Sequence, residues 1–176
     1  MYEFTIKALE KVFQCCNEEI LQGQAPMPKF VIWKNTKYHP TSFFITAKGY
    51  KVVFREDTIH RDIYEIITEM VHNLVHIYHA EMRIDDTQKR CASHHKEVFA
   101  YRAAEFGLIT QPVSMIGPVV KGMQTEVYRR ILERIQDTAL VKKALEIDEL
   151  QQEIQRSLQY NEAVKGRVQK GLWRAL

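Results

Sequence analysis

The sequence predicts an α+β domain followed by a helical extension. Three observations carry this prediction. One long amphipathic helix pattern lies mid-chain, three short runs rich in β-branched and aromatic residues precede it, and residues 122–162 are rich in Glu, Gln, Arg, Leu and Ile without a proline. The change of character falls after residue 110, so the expected organisation is a domain over 1–110 and an extension over 111–176. A chain of 176 residues is long enough for both, since about 150 residues already hide roughly 68–70% of their unfolded surface.

Residues 2–21 place Phe4, Ile6, Leu9, Val12, Phe13, Cys16 and Ile20 close to helical spacing, and the prolines of the following QGQAPMP stretch end that helix. The three extended runs are KFVIWK at 29–34, SFFITA at 42–47 and YKVVF at 50–54. Tyr38-His39-Pro40 separates the first from the second, and the Lys48-Gly49 turn makes the second and third a hairpin. Residues 61–82 form the clearest helix. Ile63, Ile66, Ile67, Met70, Leu74 and Ile77 recur at i, i+3, i+4, i+7, i+11 and i+14, with Thr58 as a candidate cap. The opposite face carries Glu65, Glu69, His72, His76, His79 and Arg83. At 100° per residue these fall within an arc of roughly 80°, so the helix is expected to bury one side and present imidazoles and carboxylates on the other. A polar link over 85–93 leads to a helix near 95–106, with Gly107 as its stop. Beyond it, Val127, Ile131, Leu132 and Ile135 form one stripe and Leu145, Leu150, Ile154 and Leu158 another, which predicts two further helices.

Composition excludes several classes. With 45% hydrophobic and 27% charged residues, the chain has material for a packed core. No apolar run approaches the roughly 20 residues that span a bilayer, and the N-terminal residues lack the basic start and apolar stretch of a signal peptide. Three cysteines, with Cys15 next to Cys16 and Cys91 alone, form no disulfide framework and fit a reducing, cytoplasmic setting. Residues 1–110 hold 14 basic and 14 acidic side chains, whereas residues 111–176 hold 11 and 8, so the net +3 resides in the extension. Its last twelve residues carry Lys165, Arg167, Lys170 and Arg174 without an acid. Such a tail attracts polyanions such as nucleic acid, although four charges are fewer than the roughly 6–10 phosphate contacts of a committed binder.

The histidines carry the chemistry. His72 and His76, four residues apart, lie about 6 Å apart on adjacent turns, and both can reach one ion about 2.0–2.1 Å from each ring nitrogen. His79 lies about 10.5 Å along the axis from His72, too far to close on the same ion. A third ligand therefore comes from elsewhere, and His94 or His95, beyond the polar link, can return to the pair.

The surrounding residues resemble the SprT-like (Spartan-related) family of zinc metallopeptidase domains. His72-Asn73-Leu74-Val75-His76 stands where the family has HExxH. Ile77-Tyr78, Ile84-Asp85-Asp86-Thr87, Ser93-His94-His95 and Ala104-Glu105-Phe106-Gly107-Leu108 follow in the family's order and spacing. The resemblance covers about residues 1–110 and implies a zincin-like fold, Zn2+ as cofactor, ligands at His72, His76 and His94, and proteolysis of DNA-bound proteins as the family's activity. His95 falls where the family often has asparagine.

Two departures bear on function. Asn73 occupies the position of the family's general base, and an amide accepts no proton near neutral pH. General acid–base catalysis contributes typically about 10²–10⁴-fold, so the resemblance implies a catalytically impaired domain. Glu69, one turn earlier, leans toward the helix N-terminus and is expected to stay solvated or to hydrogen-bond a ligand histidine instead of replacing the base. The chain also has no cysteine after Cys91 and hence no cysteine-based zinc ribbon. The expected function is a zinc-holding module that associates with DNA or protein, with the C-terminal helices available for self-association or docking. The alternatives are an active zinc peptidase of DNA–protein crosslink type, with Asn73 an engineered inactivation or the base supplied from elsewhere, and a metal-free interaction scaffold.

Overall fold

The computed structural model of the protein describes residues 2–34, 40–88 and 91–136. The chain divides into two units, Met1–Val141 and Lys142–Leu176. The basic residues Lys165, Arg167, Lys170 and Arg174 and the apolar stripe from Leu145 to Leu158 lie outside the described residues.

The first unit opens with α1 (Glu3–Leu21), which ends in a left-handed Gln22 and Gly23 ahead of the prolines. Asn17, buried near its end, receives Ala25 N–H on its Oδ1 at 3.1 Å and donates from Nδ2 to Ala25 O at 2.8 Å, which fixes the exit of the chain. β1 (Lys29–Trp33), β2 (Thr41–Thr46) and β3 (Gly49–Arg55) form a three-stranded sheet in the order β1-β3-β2. β1 runs parallel to β3, and β2 is antiparallel to it across the Ala47-Lys48 turn, where Thr46 faces Gly49. The predicted hairpin and strands are therefore present, and the architecture is mixed α and β as expected.

After a single turn, α2 (Glu56–Ile59), comes the central helix α3 (Ile63–Glu81). Its cap is Asp62, whose carboxylate accepts Glu65 N–H at 2.9 Å, in place of the expected Thr58. Thr58 is buried and donates its hydroxyl to Pro40 O.

The predicted one-sided burial of α3 is corrected by the structure. Ile67, Met70, Leu74 and Ile77 are inaccessible, but so are Val71 and Val75, and Asn73, His76 and His79 are buried as well. The histidine face is covered because the expected polar link is a two-stranded ladder, β4 (Thr87–Gln88) with β5 (Cys91–His95), followed by α4 (Glu97–Glu105). A further hairpin, β6 (Leu108–Val113) with β7 (Gly117–Met123), contacts α3, β5 and α4.

The expected boundary at residue 110 falls inside β6, and α5 (Thr125–Gln136) also belongs to the first unit. Ile131 and Ile135 of α5 are buried in the same core as Phe13 and Cys16 of α1 and Phe54 of β3. Glu19 of α1 holds Arg130 Nε at 2.6 Å and Arg134 Nε at 2.7 Å. Burial opposes ionisation of Glu19, but the two guanidinium groups outweigh it and hold the carboxyl below its usual range. Gly107, at φ +85°, ends α4 as expected. A Cβ there would meet the Val127 side chain at 2.6–3.0 Å, so glycine also permits the close approach of α4 and α5. None of the described helices is long and apolar enough to cross a membrane.

Candidate metal centre

α3 and β5 bring three imidazoles to one point. His72 Nε2 lies 3.1 Å from His76 Nε2 and 3.0 Å from His95 Nε2, and His95 Nε2 lies 3.3 Å from His76 Nε2. A tetrahedral ion with imidazole nitrogens at about 2.0–2.1 Å separates its ligand atoms by about 3.3–3.4 Å. The triangle is thus slightly tighter than one face of such a tetrahedron.

The sequence expectation of His72 and His76 as a pair is met, but the third histidine in the cluster is His95 and not His94. The reason is local geometry. These residues lie at the end of a strand instead of a helix start. Successive side chains of a strand alternate between faces, so only one of two neighbouring histidines can face α3. His79 stands apart from the triangle, as its distance along the helix implies, but it is not idle, as described below.

The outer nitrogens decide what the inner ones can do. His95 Nδ1 lies 3.0 Å from Pro118 O of β7. A carbonyl oxygen only accepts, so Nδ1 carries the hydrogen and Nε2 carries a lone pair. His76 Nδ1 donates to Asp86 Oδ2 at 2.8 Å, and His79 Nδ1 donates to the same oxygen at 2.9 Å. Burial works against ionisation of Asp86, but the hydrogen bonds from His76 and His79 prevail and hold it below the usual carboxylate range. His76 Nε2 is therefore also a bare lone pair. Two lone pairs 3.3 Å apart repel unless a positive centre lies between them, and His72 Nε2 can direct at most one hydrogen at them. The donor set fits a metal ion.

At neutral pH, protonation of His95 or His76 does not supply that centre. Burial, reinforced by the neighbouring His72 and His76, pushes His95 down to about 3. Burial likewise lowers His76, against the raising effect of Asp86. Both rings are neutral and ready to ligate.

Aromatic rings fix the imidazole planes. Phe99 of α4 stacks on His95 with centroids 3.9 Å apart and meets His72 and His76 at 5.2 and 5.0 Å. Phe43 of β2 stacks on His76 at 5.5 Å. β4–β5 is fastened to this arrangement by Lys96 N–H donating to Asp86 O at 2.8 Å and by Lys96 Nζ against Asp85 Oδ2 at 2.6 Å.

Asn73 is 2% exposed and turned into the protein. Its Nδ2 donates to Thr41 Oγ1 at 2.9 Å and to Glu69 O at 2.7 Å. Glu69 Oε2 accepts the Thr41 hydroxyl at 2.5 Å and stands 3.7 Å from His72 Nδ1, an electrostatic contact and not a hydrogen bond. Burial opposes the ionised form of Glu69, but His72 and the Thr41 hydroxyl outweigh it and keep the carboxyl below its usual range. Glu69 is thus neither freely solvated nor hydrogen-bonded to a histidine, but adjoins the outer nitrogen of His72 on the far side of that ring from the cluster.

Residue-level reading missed Asp86, Pro118 and Thr41 as parts of the site. Asp86 had a signal, since it lies within the Ile84-Asp85-Asp86-Thr87 segment quoted for the resemblance. Thr41 and Pro118 act through sheet placement and a main-chain carbonyl, for which a sequence carries no mark. Comparison with protein-family models, with curated proteins and with solved structures gives no match for this chain.

Proposed function

We propose that this chain is a zinc-holding domain of SprT-like kind that hydrolyses peptides poorly or not at all and serves as a binding module for DNA or for DNA-bound protein. The observation that carries the metal reading is the set of three Nε2 atoms within 3.0–3.3 Å, two of them bare lone pairs because their rings donate outward. All-nitrogen donors suit zinc, and three protein ligands leave a position free, as in catalytic zinc sites.

His72, His76 and His95 would hold the ion. Asp86 and the Pro118 carbonyl fix the tautomers of His76 and His95, and Glu69 places a negative charge beside His72. When bound, zinc supplies a Lewis acid that polarises a carbonyl or a water. Among the described residues, neither Asn73 nor Glu69 is placed to take up and return a proton. Asn73 spends both amide hydrogens inside the protein, and Glu69 lies behind His72. A peptide leaves as an amine only if it is protonated, so binding outlasts hydrolysis at this site. The nucleic-acid part of the reading is supported by the family resemblance and by Lys165, Arg167, Lys170 and Arg174 in the sequence.

Elemental analysis of tag-free protein tests the metal. Near one zinc per chain is expected in the parent and in His94→Ala, with much less in His95→Ala. Zinc lost in His94→Ala and kept in His95→Ala would refute the ligand set. Robust casein cleavage that a chelator abolishes would refute the impaired-catalysis reading.

A further inference from the structure

We propose that Asn73, Thr41 and Glu69 form a positioning relay that holds a carboxylate against the outer nitrogen of His72, so that position 73 serves metal binding where the family uses it for proton transfer. The inference rests on the metal-holding reading of the three histidines and deepens it.

Each ligand ring needs an acceptor behind it to hold its plane and its tautomer. His76 has Asp86 and His95 has Pro118 O, both within hydrogen-bond distance. The acceptor adjoining His72 is Glu69, at 3.7 Å. Glu69 is itself held by Thr41, which comes from the first residue of β2 and has a single hydroxyl hydrogen, committed to Glu69 Oε2 at 2.5 Å. Toward residue 73, Thr41 therefore presents only lone pairs, and it requires a donor there. Asn73 is that donor at 2.9 Å, and its second amide hydrogen is anchored on Glu69 O at 2.7 Å. Donation runs from amide to hydroxyl and from hydroxyl to carboxylate, and the carboxylate faces the outer nitrogen of His72 at 3.7 Å.

A carboxylate at 73 reverses the first link. It offers acceptors to an oxygen that has no hydrogen left, and it brings a second negative charge into the buried surroundings of Glu69. The Asn73 amide is thus matched to its neighbours and is more than a deletion of the base.

The test measures zinc affinity by competition with a chromogenic chelator, with the cobalt(II) absorption spectrum as a reporter of ligand geometry and the melting of the metal-free protein as a control. Asn73→Asp keeps the shape and removes the donor. Thr41→Val keeps the shape and removes the hydroxyl. Both are expected to lose about 10–100-fold in affinity and to change the cobalt spectrum. Thr41→Ser, which restores the hydroxyl, should bind within about threefold of the parent. If Asn73→Asp fails to fold, the Thr41→Val and Thr41→Ser pair decides. Parent-like affinity in both Thr41→Val and Asn73→Asp overturns the relay and leaves the metal site standing. A parent chain that takes up neither zinc nor cobalt overturns the metal reading and the relay with it.

Discussion

Replacing Asp86 by asparagine removes one charge and keeps one accepting oxygen. In the structure that charge serves two rings, because Asp86 Oδ2 accepts from His76 Nδ1 at 2.8 Å and from His79 Nδ1 at 2.9 Å. Hydrogen bonds to an ionised acceptor are roughly twice as strong as neutral ones. The loss is largest with metal bound, since His76 then carries part of the ion's charge. Loss of such an outer partner typically weakens metal binding about 10–100-fold, or roughly 1.4–2.8 kcal/mol at 1.4 kcal/mol per tenfold. At a fixed excess of zinc the stabilisation conferred by the metal falls by the same amount. For a chain of this size, with about 2–4 °C per kcal/mol, the zinc-induced rise in melting temperature should shrink by roughly 3–11 °C. The assay is paired melting of parent and Asp86→Asn with and without zinc, plus chelator competition for the affinity itself. An affinity within threefold of the parent and an unchanged zinc-induced rise would refute the claim that Asp86 orients His76 for the metal.

Three further outcomes follow from the same geometry. In the metal-free protein, His95 is depressed to about 3 from an unfolded value of about 6.5. Its neutral form therefore supports the fold fully above about pH 6.5, and that support is lost at up to about 1.4 kcal/mol per pH unit as the pH falls toward 3; urea titrations across this window should show a flatter acid limb in His95→Gln. Glu19, held below its usual range between Arg130 and Arg134, stabilises the fold above the ordinary glutamate pKa. Glu19→Gln should melt lower than the parent at pH 7, and the gap should close as the pH drops through the depressed value. Gly107→Ala places a methyl 2.6 Å from Val127 Cγ2 at a φ of +85°, and overpacking of this kind costs about 1–3 kcal/mol; a chemical denaturation midpoint equal to the parent's would contradict the close approach of α4 and α5.

The elements legible in the sequence are those whose signal is local. α1 and α3 follow from apolar spacing, and β2 and β3 from two β-rich runs around a Lys-Gly turn. The ladders β4–β5 and β6–β7 were not legible. β4 has two residues, too few to show a period. β6 includes Gln111-Pro112 and β7 opens with Gly117-Pro118, punctuation that reads as loop when no partner strand is known. Their absence from the reading also hid the burial of the histidine face. A helix with charged and imidazole residues on one side reads as half-solvated until another element is known to cover it. His79 illustrates this, being fully buried on the expected polar face because Asp86, beyond the end of α3, supplies its partner.

The choice between His94 and His95 turns on a single fact of secondary structure. If these residues opened a helix, both side chains would lie within one turn, separated by about 100°, and either could be steered toward α3. In a strand the separation is about 180° and the choice is binary. The register of β5 is set by its pairing, in which His95 lies opposite Thr87, and by Pro118 O, which accepts from His95 Nδ1. A one-residue slip would exchange the faces of all the side chains in β5. It would bring His94 inward, remove His95 from the Phe99 ring it stacks on at 3.9 Å, and leave the Pro118 carbonyl without that donor. The histidine cluster is therefore tied to the packing of β7 and α4, elements outside the His72–His76 segment. The His94→Ala and His95→Ala pair accordingly reports on strand register as much as on metal: two variants one residue apart, chemically identical in the change made, should differ in zinc content by most of one equivalent.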